Sequence, residues 1–252
     1  ATASTVLTGA LLVGDSVRGS LRDLALDRLG GTESAILPGR FIPEALATCF
    51  ASTAGSPAIA PAILLRGSGV RPDTRARATI IQVIGVTDAF AALYPGDAAF
   101  LASLLGAEDR SPFPRIAINR SLARALGAVV GDPVLLRMPR PQDAPAETLL
   151  GRRDEESLVV SLRGTVAAVL PDSGAGAFTL AAHQAAPLNA FVRLDDLQRA
   201  AAIEGRINLL LIAGRTPGAG RTPDPGGGLE ERLRQGLSLE AMGLLLREGS
   251  GH

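Results

Sequence analysis

Few residues in this chain could do chemistry, and the best candidate is the serine of Gly14-Asp15-Ser16. A nucleophilic serine needs a base to accept its proton and hydrogen-bond donors to stabilise the oxyanion. His183 and His252 are the only histidines that could supply the base. The single cysteine, Cys49, has no histidine or basic residue close to it in sequence, so we interpret it as a small packed residue.

The Gly-Asp-Ser segment resembles the nucleophile segment of the SGNH (GDSL-type) serine hydrolases, where it follows a hydrophobic strand. In that family the base lies in an Asp-x-x-His segment, and an asparagine comes from a Gly-x-Asn-Asp block. Here Leu180 and Gly249 stand three residues before the two histidines, and no Gly-x-Asn-Asp block occurs. We therefore expect no catalytic residue, and a serine hydrolase using Ser16 is the alternative hypothesis.

Composition excludes several other classes of function. The chain has 25 basic residues, all of them arginine, so it lacks the lysine of a Walker-type nucleotide site or a Schiff-base enzyme. Its formal net charge is zero, which gives no electrostatic case for binding nucleic acid. One cysteine and two histidines supply no spacing typical of a metal site, so we expect no metal and no cofactor. Gly174-Ala175-Gly176 is too short to cradle a phosphate.

The N-terminal region combines an apolar run with an amphipathic helix. Val6–Val13 is either a buried strand or the outer end of a membrane helix, since eight apolar residues fall far short of the roughly 20 needed to span a bilayer. Apolar residues at helical spacing from Val17 predict a helix that ends before Gly30-Gly31 and that can be continuous with the run before it.

The centre of the sequence predicts a compact strand–helix–turn–strand unit. Ile116–Ile118 is a short apolar strand, and Asn119 is a helix N-cap residue. Gly127 suits a left-handed C-cap, and Val130-Gly131-Asp132 is a tight turn before a strand that begins at Val134. This unit contains no obvious catalytic chemistry.

Further elements follow from the same rules. We predict strands at Ser34–Leu37, Ser157–Leu162, Gly164–Leu170, Ala190–Leu194 and Ile207–Ala213, and a hairpin of Ala58–Ser68 with Arg77–Val86. We predict helices at Phe41–Phe50, Ala89–Leu93, Ala98–Leu105, Asp195–Ala202 and Leu229–Leu246. Pro139–Glu156 is predicted to be an exposed excursion, and Gly214–Gly228 a flexible linker.

The order of these segments resembles a known family. IIQVIGVTDAF at 80–90, IAINRSLARALGAVVGDPVLL at 116–136 and NAFVRLDDLQRA at 189–200 are similar to the extracytoplasmic domain of FtsX-like ABC transporter permeases, the MacB-like periplasmic core domain. The matching residues are Asn119, Ala123, Leu126 and Gly127 in the helix and Val130-Gly131-Asp132 in the turn.

This resemblance implies an α+β fold: a mixed α/β, two-lobed domain with short βαβ-type units. Residues 1–30 would be an N-terminal helix, 31–77 plus 205–252 a membrane-proximal porter-like lobe, and 78–204 a β-rich inserted lobe. It also implies a non-catalytic domain on the extracytoplasmic (periplasmic) face of the membrane that transmits conformational change. The implied partners are a cognate ABC ATPase subunit, reached through the permease membrane helices, and a lipoprotein or amphiphile cargo, in a dimeric transporter.

Overall fold

The structure is a computed structural model. It describes residues 2–47, 58–97, 104, 113–141, 159–181 and 185–214, with residues 2–15 described by their backbone alone. The helices are α1 (Thr2–Leu29), α2 (Asp88–Ala91), α3 (Arg120–Leu126) and α4 (Leu194–Ala201), and two 3₁₀ turns lie at Pro95–Asp97 and Gly174–Ala177. The strands are β1 (Thr32–Ile36), β2 (Ile42–Pro43), β3 (Ile59–Val70), β4 (Arg77–Val86), β5 (Arg115–Asn119), β6 (Pro133–Pro139), β7 (Val159–Leu170), β8 (Asn189–Arg193), β9 (Arg206–Ile207) and β10 (Leu209–Ala213).

The N-terminal region is one continuous helix, α1, of 28 residues. The strand interpretation of Val6–Val13 is therefore wrong, and the helix predicted up to Leu29 is confirmed. Its last turn is closed by Gly30, whose N–H donates to the Leu26 carbonyl at 3.0 Å. Among the described residues, no helix combines the length and apolarity required to cross a membrane.

The main sheet contains eight strands in the order β1-β10-β3-β4-β8-β5-β7-β6. β6 also pairs with β3, so the last six strands close into a ring. β4 pairs with β8 and β5 with β7 in parallel, whereas the other neighbours in the sheet are antiparallel. The α+β class with mixed strand pairing is confirmed.

The core has two parts because successive strand residues face opposite sides of the sheet. Val83 belongs to the core inside the ring and its neighbour Ile84 to the core outside it. All six ring strands contribute to the inner core, and α3 and α4 add Leu122 and Leu197 to it. The outer core is aromatic, built around Phe90, Tyr94, Phe178 and Phe191.

The central unit predicted from the sequence is confirmed. The Asn119 side chain accepts a hydrogen bond from the Leu122 N–H at 3.0 Å, and Gly127 ends α3 with φ 58°. The Asp132 carboxylate accepts from the Val129 N–H at 2.8 Å, which holds the turn into β6. These contacts are local, so residue type and spacing were enough to predict them.

Two element predictions need correction. The helix predicted at Phe41–Phe50 starts later than expected: Ile42–Pro43 forms β2 and pairs with β9, residues 45–47 are helical, and residues 48–50 lie outside the described residues. The strands predicted at Ser157–Leu162 and Gly164–Leu170 are one strand, β7. Gly164 does not interrupt β7. A glycine is needed there because the Pro114 carbonyl oxygen packs against it, and a Cβ would lie only 2.5 Å from that oxygen.

Most other predicted elements are confirmed with small shifts. The hairpin is β3–β4, and the strand followed by a helix at 190–202 is β8–α4. The final predicted strand is divided at Asn208, whose side-chain amide bonds the Leu64 N–H and carbonyl at 2.8 and 2.9 Å. The predictions for Leu229–Leu246, the 215–228 part of the linker and most of Ala98–Leu105 and Pro139–Glu156 lie outside the described residues. The division into two lobes stays a prediction.

Candidate functional site

Ser16, the candidate nucleophile, lies within α1 and not after a strand. It is exposed, and its carbonyl accepts a hydrogen bond from the Ser20 hydroxyl at 3.1 Å, as in an ordinary helix. The strand-to-helix context that would aim a nucleophile at a substrate is therefore absent around this residue. His183, His252 and Cys49 lie outside the described residues. Among the residues that the structure describes, no group of three or more His, Cys, Asp or Glu could hold a metal ion.

The feature that best suits a functional role is the junction between α1 and the folded domain. The Tyr94 hydroxyl donates to the Arg28 carbonyl at 2.8 Å, and the Gly31 N–H donates to the Leu93 carbonyl at 2.8 Å. These two bonds hold the end of α1 against the segment that follows α2. The Tyr94 ring also packs on Phe90, with ring centroids 5.1 Å apart.

Gly30 is required by the close approach at this junction. It has φ 55°, which disfavours residues with a Cβ, and an added Cβ would lie 2.5 Å from Cε1 of Tyr94. The sequence predicted Gly30 as a helix stop. Its second role, making room for the tyrosine ring, depends on a contact 64 residues away and could not be predicted from the local pattern.

Two carboxylates connect the junction to the second 3₁₀ turn. Asp27 of α1 accepts a hydrogen bond from the Gly174 N–H at 3.0 Å, and Asp97 accepts from the Ala175 N–H at 2.9 Å. The successive N–H groups of this turn therefore bind side chains of the protein itself. This agrees with the expectation that Gly174-Ala175-Gly176 is not a phosphate cradle.

Tyr94 is held in its neutral form. Burial raises the pKa of its hydroxyl, and the nearby negative charges of Asp27 and Asp97 raise that pKa further, well above its ordinary value. The hydroxyl is therefore a permanent donor to the Arg28 carbonyl. Tyr94 is the only tyrosine in the chain, which was the one sequence signal pointing to it.

The last described residues lie beside the point where α1 meets the domain. β1, which follows α1, pairs antiparallel with β10, with Thr32 opposite Ala213. The Gly214 N–H then donates to the Gly31 carbonyl at 2.8 Å. Gly31, two residues after the end of α1, and Gly214, the last described residue, are thus direct neighbours.

A buried polar network lies behind the 3₁₀ turn. Asn119 donates to the carbonyls of Gly176 and Pro187 at 3.1 and 2.7 Å, and its oxygen accepts from the Asn189 N–H at 3.1 Å. Asn189 donates to the carbonyls of Gly176 and Phe178 at 3.1 and 2.8 Å. Both asparagines are fully buried. The sequence predicted only the capping bond of Asn119; the rest required the fold.

No protein-family model matches the sequence, and no curated protein matches it. Solved structures do resemble the fold. The periplasmic region of MacB from Actinobacillus actinomycetemcomitans is 10% identical with a TM-score of 0.43, covering 83% of this chain and 77% of its own. The extracellular domain of the ABC-type transporter YknZ from Gram-positive bacteria is 10% identical with a TM-score of 0.41, covering 70% and 75%. A domain of a permease protein from Porphyromonas gingivalis is 14% identical with a TM-score of 0.41, covering 79% and 73%.

Proposed function

We propose that this chain is the non-catalytic extracytoplasmic domain of an ABC transporter permease of the export or lipoprotein-release type. The observation that carries the proposal is the pairing of β1 with β10, which puts Gly31 and Gly214 in hydrogen-bond contact. Neighbouring first and last strands suit a domain inserted between two membrane segments, because both segments can then connect to it at one end. The sequence resemblance of residues 80–90, 116–136 and 189–200 supports the same proposal.

The role of the domain in this proposal is mechanical. α1 is fixed at its C-terminal end by the Tyr94 hydroxyl, the Gly31 N–H and the Asp27 carboxylate, all bonded within its last turn or just after it. A movement of α1 along or across its axis would therefore be passed to the domain instead of being absorbed by a loop. In this proposal a cognate ABC ATPase drives the movement, and the transporter is a dimer. Its cargo is a lipoprotein or another amphiphile.

The location can be tested by labelling in cells that express the full-length native gene. Thr79 is exposed, so Thr79→Cys in a Cys49→Ala background offers a single thiol on the domain surface. A membrane-impermeant maleimide should label it in intact cells after the outer envelope is opened, and a cytoplasmic thiol should stay unlabelled. Labelling of Thr79→Cys only after lysis of the inner membrane would refute the extracytoplasmic location.

The partner can be tested with the same full-length product. Purification in mild detergent should bring down an ABC ATPase, and the ATPase rate of that complex should fall in the Tyr94→Phe variant, because α1 loses one of its attachments. A complex without an ATPase would refute the transporter proposal. An ATPase rate unchanged in Tyr94→Phe would refute the mechanical role of the junction.

A further inference from the structure

Four exposed arginines lie on adjacent strands of the ring. Arg66 is on β3, Arg77 on β4, Arg137 on β6 and Arg163 on β7. The residues that alternate with them are buried in the inner core, so the arginines are on the outside of the ring. Those buried residues include Ala78, Leu136, Met138 and Leu162.

The strand register brings these arginines together on one surface. Val70 is opposite both Arg77 and Leu135, and Leu135 is opposite Arg163. One row across the four strands thus has an arginine at each end and two aliphatic residues between them. In the next row Arg137 stands between two serines, Ser68 and Ser161.

The strand segments that carry these arginines have no acidic residue, and the acidic residues at the edge of the surface are Asp73 in the β3–β4 turn and Asp132 before β6, which pairs with Arg71 at 3.1 Å. The described stretches 66–70, 77–82, 133–139 and 159–165 contain no aspartate or glutamate, although the whole chain has equal numbers of acidic and basic residues. Arg163 also lies over the exposed ring of Phe113, 5.0 Å from its centroid. A positive surface on a neutral protein attracts an anionic partner.

A strained apolar residue lies beside these arginines. Ile80 has φ 59° and is 80% exposed. It is the extra residue of a bulge, because Ser68 pairs with Thr79 whereas Gly67 pairs with Ile81. A β-branched residue is strained in this conformation, which a glycine adopts freely, and such strain concentrates at binding sites.

We propose that this surface, the arginine face of Arg66, Arg77, Arg137, Arg163 and Ile80, binds an acidic segment of a partner protein, with Ile80 as its apolar anchor. Arginine is enriched in protein interfaces and among the residues that contribute most to binding. The proposal rests on the proposed function in one respect: the end of the domain that carries α1 and Gly214 is taken to be the end nearest the membrane.

A membrane surface is the less suitable anionic partner because of where the arginine face lies. Ile59, at the start of β3, pairs with Ile212, close to the junction of α1 with the domain. Ser68 is nine residues further along β3, which is about 30 Å at the rise of a strand. The arginine face is therefore at the end of the ring away from α1 and Gly214.

The face can be tested with the purified chain and a defined probe. The probe is a fluorescein-labelled peptide of alternating glutamate and leucine, with a peptide of alternating lysine and leucine as its control. Fluorescence anisotropy at low and high salt should show binding of the glutamate peptide alone, weakened by salt. Because the chain is assayed alone, a negative result would refute the face and leave the test of location in cells unaffected.

Substitutions make the assignment specific. Arg137→Glu should weaken binding of the glutamate peptide by about tenfold, whereas Arg120→Glu, an exposed arginine on α3, should leave it unchanged. Ile80→Gly should weaken binding about fivefold and at the same time raise the unfolding midpoint in urea, because it removes both the anchor and the strain. A residue with only a structural role would not move these two quantities in opposite directions.

Three results would overturn the proposal. The first is equal binding of the two peptides, or equal effects of Arg137→Glu and Arg120→Glu. The second is binding to phosphatidylglycerol vesicles without binding to the glutamate peptide, which would assign the face to lipid. The third is peptide binding only after residues 142–158 are replaced by a glycine–serine linker, which would assign the face to the acidic residues of the chain itself.

Discussion

The hydroxyl of Tyr94 provides the sharpest test of the junction between α1 and the domain. Tyr94→Phe keeps the ring that packs on Phe90 but removes the donor to the Arg28 carbonyl. Because a carbonyl that loses its buried partner is left without a hydrogen bond, the free energy of unfolding should fall by about 1–2 kcal/mol. Urea unfolding at neutral pH measures this change.

The same residue predicts how stability depends on pH. The pKa of Tyr94 is raised in the folded protein, so the folded state keeps a proton that the unfolded state releases near its ordinary pKa of about 10. The stabilisation is therefore complete below that pH and is lost as the pH rises through the folded-state value. Above pH 10 the free energy of unfolding should fall by up to about 1.4 kcal/mol per pH unit.

The chain is well suited to this measurement because it has one tyrosine, no tryptophan and no lysine. Tyrosinate absorbance titrates Tyr94 directly in the folded and urea-unfolded states, and Tyr94→Phe should remove the alkaline loss of stability. Ser20→Ala is the matched control, because it also removes a hydroxyl that donates to a carbonyl, but an exposed one; it should change stability by less than about 0.5 kcal/mol. A tyrosinate signal that rises at the same pH in both states would refute the burial of the Tyr94 hydroxyl.

Three further substitutions test the fold and the alternative function. Gly30→Ala should destabilise the chain by about 2–4 kcal/mol, because Gly30 has a positive φ and an added Cβ would clash with the tyrosine ring. Gly19→Ala is the control: Gly19 has open space around it on α1, so this change should stabilise the chain by about 0.5–1 kcal/mol. Thermal unfolding distinguishes the two variants. Asn119→Ala should cost about 3 kcal/mol, seen in urea, by leaving several buried backbone groups without partners. Ser16→Ala should leave stability unchanged, and a fluorophosphonate probe should not label the wild-type chain; labelling lost in Ser16→Ala would revive the hydrolase hypothesis.

The parts of the fold that could be predicted are those fixed by neighbours in sequence. The cap at Asn119, the left-handed glycine at Gly127 and the β3–β4 hairpin each depend on residues a few positions apart. The parts that could not be predicted depend on distant contacts. Gly164 looked like a strand boundary in the sequence. In the structure it lies within β7, where the Pro114 carbonyl oxygen packs so close to Gly164 that a Cβ would not fit. The bulge at Ile80 had no signal, since its sequence reads as an uninterrupted strand.

The candidate site was missed for the same reason. The sequence pattern offered reactive side chains without a convincing partner, whereas the junction is built from backbone groups and one hydroxyl. Gly31, Leu93 and Gly214 contribute only N–H and carbonyl groups, which nearly every residue carries. Residue type alone therefore could not identify them: the pairing of β1 with β10 brings Gly31 and Gly214 together, and a separate long-range hydrogen bond joins Gly31 to Leu93.

The second 3₁₀ turn links the end of α1 to the two buried asparagines. The N–H groups of Gly174 and Ala175 bind carboxylates on either side of the junction, Asp27 and Asp97. The carbonyl of the next residue, Gly176, accepts from both buried asparagines, which in turn hold α3 and the start of β8. The end of α1 is thus one hydrogen bond from the turn, and the turn is one hydrogen bond from the asparagines at the end of β5 and the start of β8. The bond that Asp27 accepts is exposed, whereas the bonds of the two asparagines are buried. Within the mechanical role that we propose, this is the connection that we expect to carry a displacement of α1 into the domain.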